Sequence, residues 1–263
     1  TYSAEFGVLS QLPGDGRYYN IAKQAMRAPY ERRSKLDLVA DTIHAGSGEW
    51  LSRRASIGPP TDSYFESLWD GWQLFGDQEM KAWYDTLTKA VLAHQAVRVD
   101  GQLWFNQVDF ETGEKIDSHQ SELAAFYAGL LGQGGDMANG RAYLESWAGV
   151  QARFGVLPEG YDFAAGKPDR VTNDLRPELV DSALTLWLIE RDPRFREIGA
   201  VHYEQMRASS RAPYGFTVLT DVTATPKTQG YAFPGYWWSE QMKYYWLLFS
   251  DTKRFDYADN YLS

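Results

Sequence analysis

One turn signal recurs along this chain at a nearly constant interval. Leu12-Pro13-Gly14-Asp15, Leu74-Phe75-Gly76-Asp77, Gln133-Gly134-Gly135-Asp136, Glu190-Arg191-Asp192 and Phe249-Ser250-Asp251 place their aspartates 62, 59, 56 and 59 residues apart. Apolar residues flank the turns at helical spacing: Tyr64, Phe65, Leu68, Trp69 and Trp72 precede Asp77, and Met80, Trp83, Tyr84, Leu87 and Val91 follow it. Positions i, i+3, i+4 and i+7 of such a series make one apolar helix face. Gly closes the first helix and Asp caps the next. The repeating unit is an αα-hairpin.

A second series keeps the same beat. An acidic residue stands near the start of each first helix: Glu5, Asp62, Glu122 (or Asp117 just before it), Glu178 and Glu240. Hairpins wrapped into a ring would bring these positions to one end, as a carboxylate-lined cup around a shared cavity. Acids at helix N-termini also complement the macrodipole by about 0.3–1 kcal/mol each, a purely structural use. Five in register with the hairpins favour the cup. Between hairpins, residues 99–105, with an Asp100-Gly101 turn, and 214–219 read as short strands, and residues 53–61 and 164–174 as loops. The fold expected is an all-α (α/α) toroid with short β-hairpins at one end. Five hairpins are fewer than a closed ring needs. The chain opens inside an apparent helix and stops abruptly at Tyr261-Leu262-Ser263, so we expect 1–263 to be a single barrel domain lacking N-terminal hairpins and a C-terminal tail.

Composition narrows the function. A net charge of −9, with basic pairs such as Arg32-Arg33 and Arg53-Arg54 that never extend into a patch, excludes a surface built for nucleic acid. No apolar run is long enough to span a membrane. Cysteine is absent, which removes disulfides, thiolate catalysis and Cys-ligated zinc. His44, His94, His119 and His202 lack ligand spacing and read as structural or exposed. Aromatic residues make up 15% of the chain; their faces suit sugar rings but are equally ordinary core material.

Asp174-Leu175-Arg176-Pro177-Glu178-Leu179-Val180-Asp181-Ser182 resembles the Leu-Arg-Pro-Glu-x-Val-Glu-Ser signature of glycoside hydrolase family 47, the inverting α-1,2-mannosidases. Asp62-Ser63-Tyr64-Phe65-Glu66, Ala4-Glu5-Phe6 with Leu9-Ser10-Gln11-Leu12, and residues 239–251 (Ser-Glu-Gln-Met-Lys-Tyr through Phe-Ser-Asp) are similar to further segments of that family, in the same order. Ile116-Asp117-Ser118 and Leu179-Val180-Asp181 lean toward its quality-control branch.

The resemblance implies an (α/α)7 barrel and hydrolysis of terminal α-1,2-linked mannose from oligomannose glycans, or a lectin-like relative with little turnover. It makes Glu178 the general base that activates water and Asp62 a second carboxylate of the reaction centre. Glu5, Arg176 and Glu240 would bind the mannose, with Tyr236 against its apolar edge. Arg176 could equally be a structural ion-pair partner. The family's barrel-lining Asp-His pair falls on Ser121-Glu122 by one alignment and points to Asp117 by another. The general acid would lie upstream of the Glu5 segment, and the Thr that binds Ca²⁺ just after Ser263, so the chain by itself should be inactive and hold the ion poorly. Pro60 replaces an Arg of the endoplasmic-reticulum enzymes, and Phe233-Pro234-Gly235 replaces Met-Glu-Ser. An extracytoplasmic monomer with an oligomannose partner is expected. Pro177 and the helix N-terminus it starts would favour an ionised Glu178, as a base requires.

Overall fold

The computed structural model describes residues 2–250, and the fifth turn's Asp251, with residues 252–263, lies outside them. Within the described residues the chain forms two compact units. One runs through Val97 and includes Phe105–Ser118; the other comprises Arg98–Trp104 and the chain from His119 onward.

The first unit contains the hairpins α1 (Ser3–Gln11) with α2 (Arg17–Glu31) and α3 (Asp62–Phe75) with α4 (Gln78–His94). The expected turn chemistry is present. Gly76 closes α3 in the left-handed conformation at φ 68°, where a Cβ would be strained, and Asp77 accepts hydrogen bonds from the Glu79 and Met80 amides to cap α4. Asp77 also takes Tyr19 Oη at 2.9 Å and Lys23 Nζ at 2.6 Å, tying α2 to this turn. Ser3 Oγ donates to the Ser67 carbonyl at 2.9 Å, holding α1 against α3. The long loop before α3 joins Arg54–Ala55 to a small antiparallel sheet with Gln107–Asp109 and Lys115–Asp117.

The second unit contains α5 (Phe126–Gln133) with α6 (Met137–Phe154), α7 (Glu178–Glu190) with α8 (Pro193–Ser210), and α9 (Met242–Phe249). Asp136 and Asp192 cap α6 and α8 as Asp77 caps α4. At the end of α7 the left-handed position is filled by Arg191, φ 60°, in place of glycine. Helices α5 and α7 approach closely because their contact is made of small residues. A Cβ on Gly129 would lie 3.1 Å from the Ser182 Cα, and Ser182 Oγ reaches the carbonyls of Ala125 at 2.7 Å and Phe126 at 3.0 Å while accepting from the Gly129 amide at 2.8 Å.

Much of the aromatic content is core. Trp104, Tyr143, Trp147, Tyr161 and Phe163 are buried together, and Trp104 stacks on Phe163 at 5.4 Å. Of the adjacent Trp237 and Trp238, the first is buried and the second exposed, as neighbours that cannot share a helix face must divide.

Candidate functional site

The second unit gathers acids that lie far apart in sequence. Strands His119–Ser121, Gly160–Asp162 and Lys167–Arg170 form an antiparallel sheet in which Ser121 stands opposite Gly160. Glu122 directly follows one of these strands and Glu159 directly precedes its neighbour, so the register sets the two side by side, with the Glu122 amide bonded to the Glu159 carbonyl at 3.1 Å. Glu122 opens the 3-10 turn Glu122–Ala125 that leads into α5. Both glutamates are fully buried.

Loop residues 173–177 bring in the third side of the cluster. Asn173 fixes the loop: its Oδ1 accepts from the Leu175 amide at 3.1 Å, and its Nδ2 donates to the Leu157 carbonyl at 2.8 Å and to Glu122 Oε2 at 3.3 Å. Leu175 adopts φ 61°, a left-handed conformation that costs a non-glycine residue about 1–3 kcal/mol and is offset here by burial of its side chain. The chain then turns into α7, whose first residue is Glu178. Arg176 donates to both oxygens of Glu159, at 3.2 and 3.1 Å, lies 3.6 Å from Asp174, and covers the Tyr236 ring with its guanidinium 5.3 Å from the centroid. Tyr236 Oη donates to the Asp174 carbonyl at 2.5 Å. Arg176 thus makes an ion pair through its Nε, and one face of Tyr236 is already occupied.

Glu240 lies in a π-helical turn, Trp237–Gln241, that runs into α9. Behind it Gln241 Nε2 donates to Tyr245 Oη at 2.8 Å, and Tyr245 Oη approaches His202 Nδ1 at 2.5 Å. Burial lowers His202 to about 4, so the imidazole is neutral and its Nδ1 can accept that hydroxyl. The wider π turn is pinned by these buried hydrogen bonds, which fixes the backbone on which Glu240 sits.

The electrostatics follow from too many carboxyls and too few cations. Glu159 stays ionisable because Arg176 and the Asp174 amide, at 2.9 Å, both donate to it, although desolvation raises its pKa. Glu178 is different: its Oε2 is buried without a hydrogen-bond partner. Desolvation pushes it to about 8, outweighing its own backbone N–H and Arg176, while Glu240 and Glu159 add repulsion. The helix N-terminus therefore does not keep Glu178 ionised at neutral pH, contrary to the sequence expectation. A terminal dipole effect of about 0.3–1 kcal/mol is smaller than the cost of stripping water from a carboxylate. Asp181, one turn along α7, is raised to about 7 by burial and by Glu240, and Glu240 itself is raised, with Lys243 and Arg176 opposing.

Of the residues singled out from sequence, Glu122, Arg176, Glu178, Tyr236 and Glu240 belong to this assembly. Glu159 joins them without having been foreseen, since only strand register makes it a neighbour of Glu122. Asp117 lies in the first unit, exposed on Lys115–Asp117, where its Oδ1 accepts from the Ser118 amide at 2.7 Å. Between the two alternatives for the barrel-lining pair, it is Glu122 that is buried among acids. Glu5 and Asp62 also belong to the first unit: Glu5 is exposed on α1, and Asp62 is half-buried as the first residue of α3, its Oδ1 accepting from the Ser63 amide at 2.9 Å. Among the described residues no group of three or more His, Asp or Glu is arranged to hold a metal ion. No described helix is long and apolar enough to cross a membrane.

The sequence pattern of Glycosyl hydrolase family 47 matches residues 1–263. The chain belongs to this family. An alpha-mannosidase I of Arabidopsis thaliana is 31% identical over 95% of the chain and 39% of its own length. The human ER degradation-enhancing alpha-mannosidase-like protein 2 is 31% identical over 96% of the chain and 43% of its own length. A mannosyl-oligosaccharide 1,2-alpha-mannosidase of Candida albicans is 26% identical over 98% of the chain and 54% of its own length. The chain thus spans roughly two-fifths to half of these family 47 relatives. In structure it superimposes on the alpha-1,2-mannosidase of Trichoderma reesei with a TM-score of 0.80 at 18% identity, covering 94% of this chain and 59% of that one. The fold is the (α/α)7 barrel type, mostly helical with a few short strand pairs.

Proposed function

We propose that the complete protein is an inverting exo-α-1,2-mannosidase that removes terminal mannose from oligomannose glycans in an extracytoplasmic compartment, acting as a monomer. The observation that carries this reading is Glu178 at the start of α7, with a buried, unpartnered carboxylate oxygen beside Arg176, Glu159 and Glu240, in a chain of family 47. In inversion the C1–O bond of the glycoside breaks while a general acid protonates the leaving oxygen. A water oxygen bonds C1 from the opposite face, and its proton passes to the base. Glu178 is the base in this proposal and Asp62 the second carboxylate of the reaction centre. Glu5, Arg176, Glu122 and Glu240 hold the sugar, with the exposed side of Tyr236 against its apolar edge. Roles for Glu5 and Asp62 rest on the family resemblance alone, as does an acid upstream of Glu5. The described residues supply no direct ligand set for Ca²⁺, so no step is assigned to it.

Replacing Glu178 by Gln keeps the shape and removes the proton acceptor. In the complete enzyme kcat should fall by about 10²–10⁴ with little change in KM. Wild-type turnover should rise with pH through about 8, where Glu178 ionises, and NMR of the early reaction should show β-mannose first. Near-normal turnover of Glu178→Gln, or α-mannose appearing first, would reassign the base to Asp62.

A second reading, a mannose-recognising protein with little turnover, is favoured by the neutral state of Glu178 at pH 7, which suits a hydrogen-bonding wall better than a base. Glycan binding without hydrolysis up to pH 9 would select it.

A further inference from the structure

Arg176 is gripped by one edge of its guanidinium. Both oxygens of Glu159 accept from its Nε, at 3.2 and 3.1 Å. Nη2 stands 3.6 Å from Asp174 Oδ2, beyond hydrogen-bonding distance, and neither Nη group is hydrogen-bonded within the described residues. A carboxylate that served only to neutralise an arginine would meet its fork with two parallel N–H···O bonds. Glu159 instead places both oxygens on one N–H and leaves the four N–H groups of the tip unused. The Arg176 side chain is 22% exposed and that of Glu159 0%, so the grip is buried and the tip partly open.

Backbone holds both sides of the grip. The Glu159 amide donates to the Thr172 carbonyl at 2.8 Å, and its carbonyl accepts from the Glu122 amide at 3.1 Å. Opposite, the loop that carries Arg176 is tied at Asn173, which exchanges two backbone hydrogen bonds with Leu219, at 2.9 and 2.8 Å, and reaches the Leu157 carbonyl through its side chain. Glu159 Oε1 also takes the Asp174 amide at 2.9 Å, which joins the carboxylate to that loop. The guanidinium lies over the Tyr236 ring, whose hydroxyl is itself held by the Asp174 carbonyl. A planar group with one edge and one face fixed keeps a single orientation.

We propose that Glu159 is a positioning residue for Arg176: it holds Nε so that Nη1 and Nη2 are presented together, as a fixed set of donors, to hydroxyl oxygens of the bound sugar. The sugar half of this rests on the proposed function; the grip on Nε does not. A long side chain that must be frozen when a ligand arrives weakens binding, and one already frozen in the free protein does not. Glu178 and Glu240 lie within electrostatic reach of Arg176. A sugar hydroxyl both donates and accepts, so it needs their acceptor oxygens and these donors side by side.

Nitrogen-15 NMR of the complete protein reads the grip directly. The Arg176 Nε–H signal, assigned by its absence from Arg176→Lys, should exchange slowly with water in the free protein. The Nη signals should become slow only when α-1,2-mannobiose is added. A fast-exchanging Nε–H in the wild type overturns the grip, and this measurement needs no variant to fold. Glu159→Gln keeps the shape of the side chain. Because Nε touches both carboxylate oxygens, either orientation of the new amide sets an NH2 group against it, donor against donor. In that variant the Nε–H should exchange fast and mannobiose affinity should fall about tenfold. Arg176→Lys keeps the charge but has no Nε, so adding Glu159→Gln to it should weaken binding no further. Losses that multiply in the double variant would mean that Glu159 acts on the fold and not through Arg176, and overturn its role. Mannobiose binding that leaves the Nη signals unchanged overturns the donor role of Arg176. A wild type with a slow Nε–H that binds no mannobiose overturns the proposed function and leaves the grip in place.

Discussion

Asp181 and Glu178 occupy successive turns of one helix face, and burial raises both: Asp181 from 3.8 to about 7 and Glu178 from 4.5 to about 8. The folded protein therefore holds protons that the unfolded chain releases above its ordinary carboxyl range. The stability this confers is complete at acid pH and is lost as pH rises through 7 to 8. The thermal midpoint should fall from about pH 3 to pH 8, and Asp181→Asn should flatten that fall, with little effect at about pH 3, where the unfolded carboxyl is protonated too, and a higher Tm than wild type at pH 8. Parallel Tm curves for variant and wild type, measured by circular dichroism, would show that Asp181 is hydrated. At this scale the sequence was informative where a local rule applied. Glu178 was singled out by its place in the sixty-residue series and by the family signature, and a helix does start there, but the rise that burial gives its pKa was not legible, because desolvation depends on side chains from other segments. Glu159 was missed for the same reason, since its partners Glu122 and Arg176 reach it through strand pairing and a loop.

Hairpins are the elements that periodicity discloses, because a helix face and its capping aspartate lie within one stretch of chain. Asp77, Asp136 and Asp192 cap helices where the turn signal placed them. The π-helical turn carrying Glu240 was not legible, since the His202–Tyr245–Gln241 hydrogen bonds that secure it come from two other parts of the chain. The α5–α7 contact is equally non-local, and it depends on one hydroxyl. Ser182→Ala leaves the Gly129 amide without its side-chain acceptor and the Ala125 and Phe126 carbonyls without their donor, inside a dry contact. We expect a loss of about 1–3 kcal/mol, measured by urea denaturation. A change below about 0.5 kcal/mol would mean that backbone bonds re-form within α5.

For the whole molecule, an excess of nine negative charges makes an added divalent ion electrostatically welcome. We expect the complete protein to need Ca²⁺, through groups beyond the described residues. Exhaustive chelation should abolish hydrolysis and calcium should restore it; full activity in metal-free protein, verified by elemental analysis, would exclude the ion. The hydroxyl of Ser182 has one more consequence. It fastens the segment that carries Glu122 to the helix that carries Glu178, so the two acids ride on a common frame. Above about pH 8, where Glu178 ionises, its charge is felt at Glu122 as a change of potential, with the frame unmoved. A double-mutant cycle between these two positions would therefore read out the effective dielectric constant of the protein's interior.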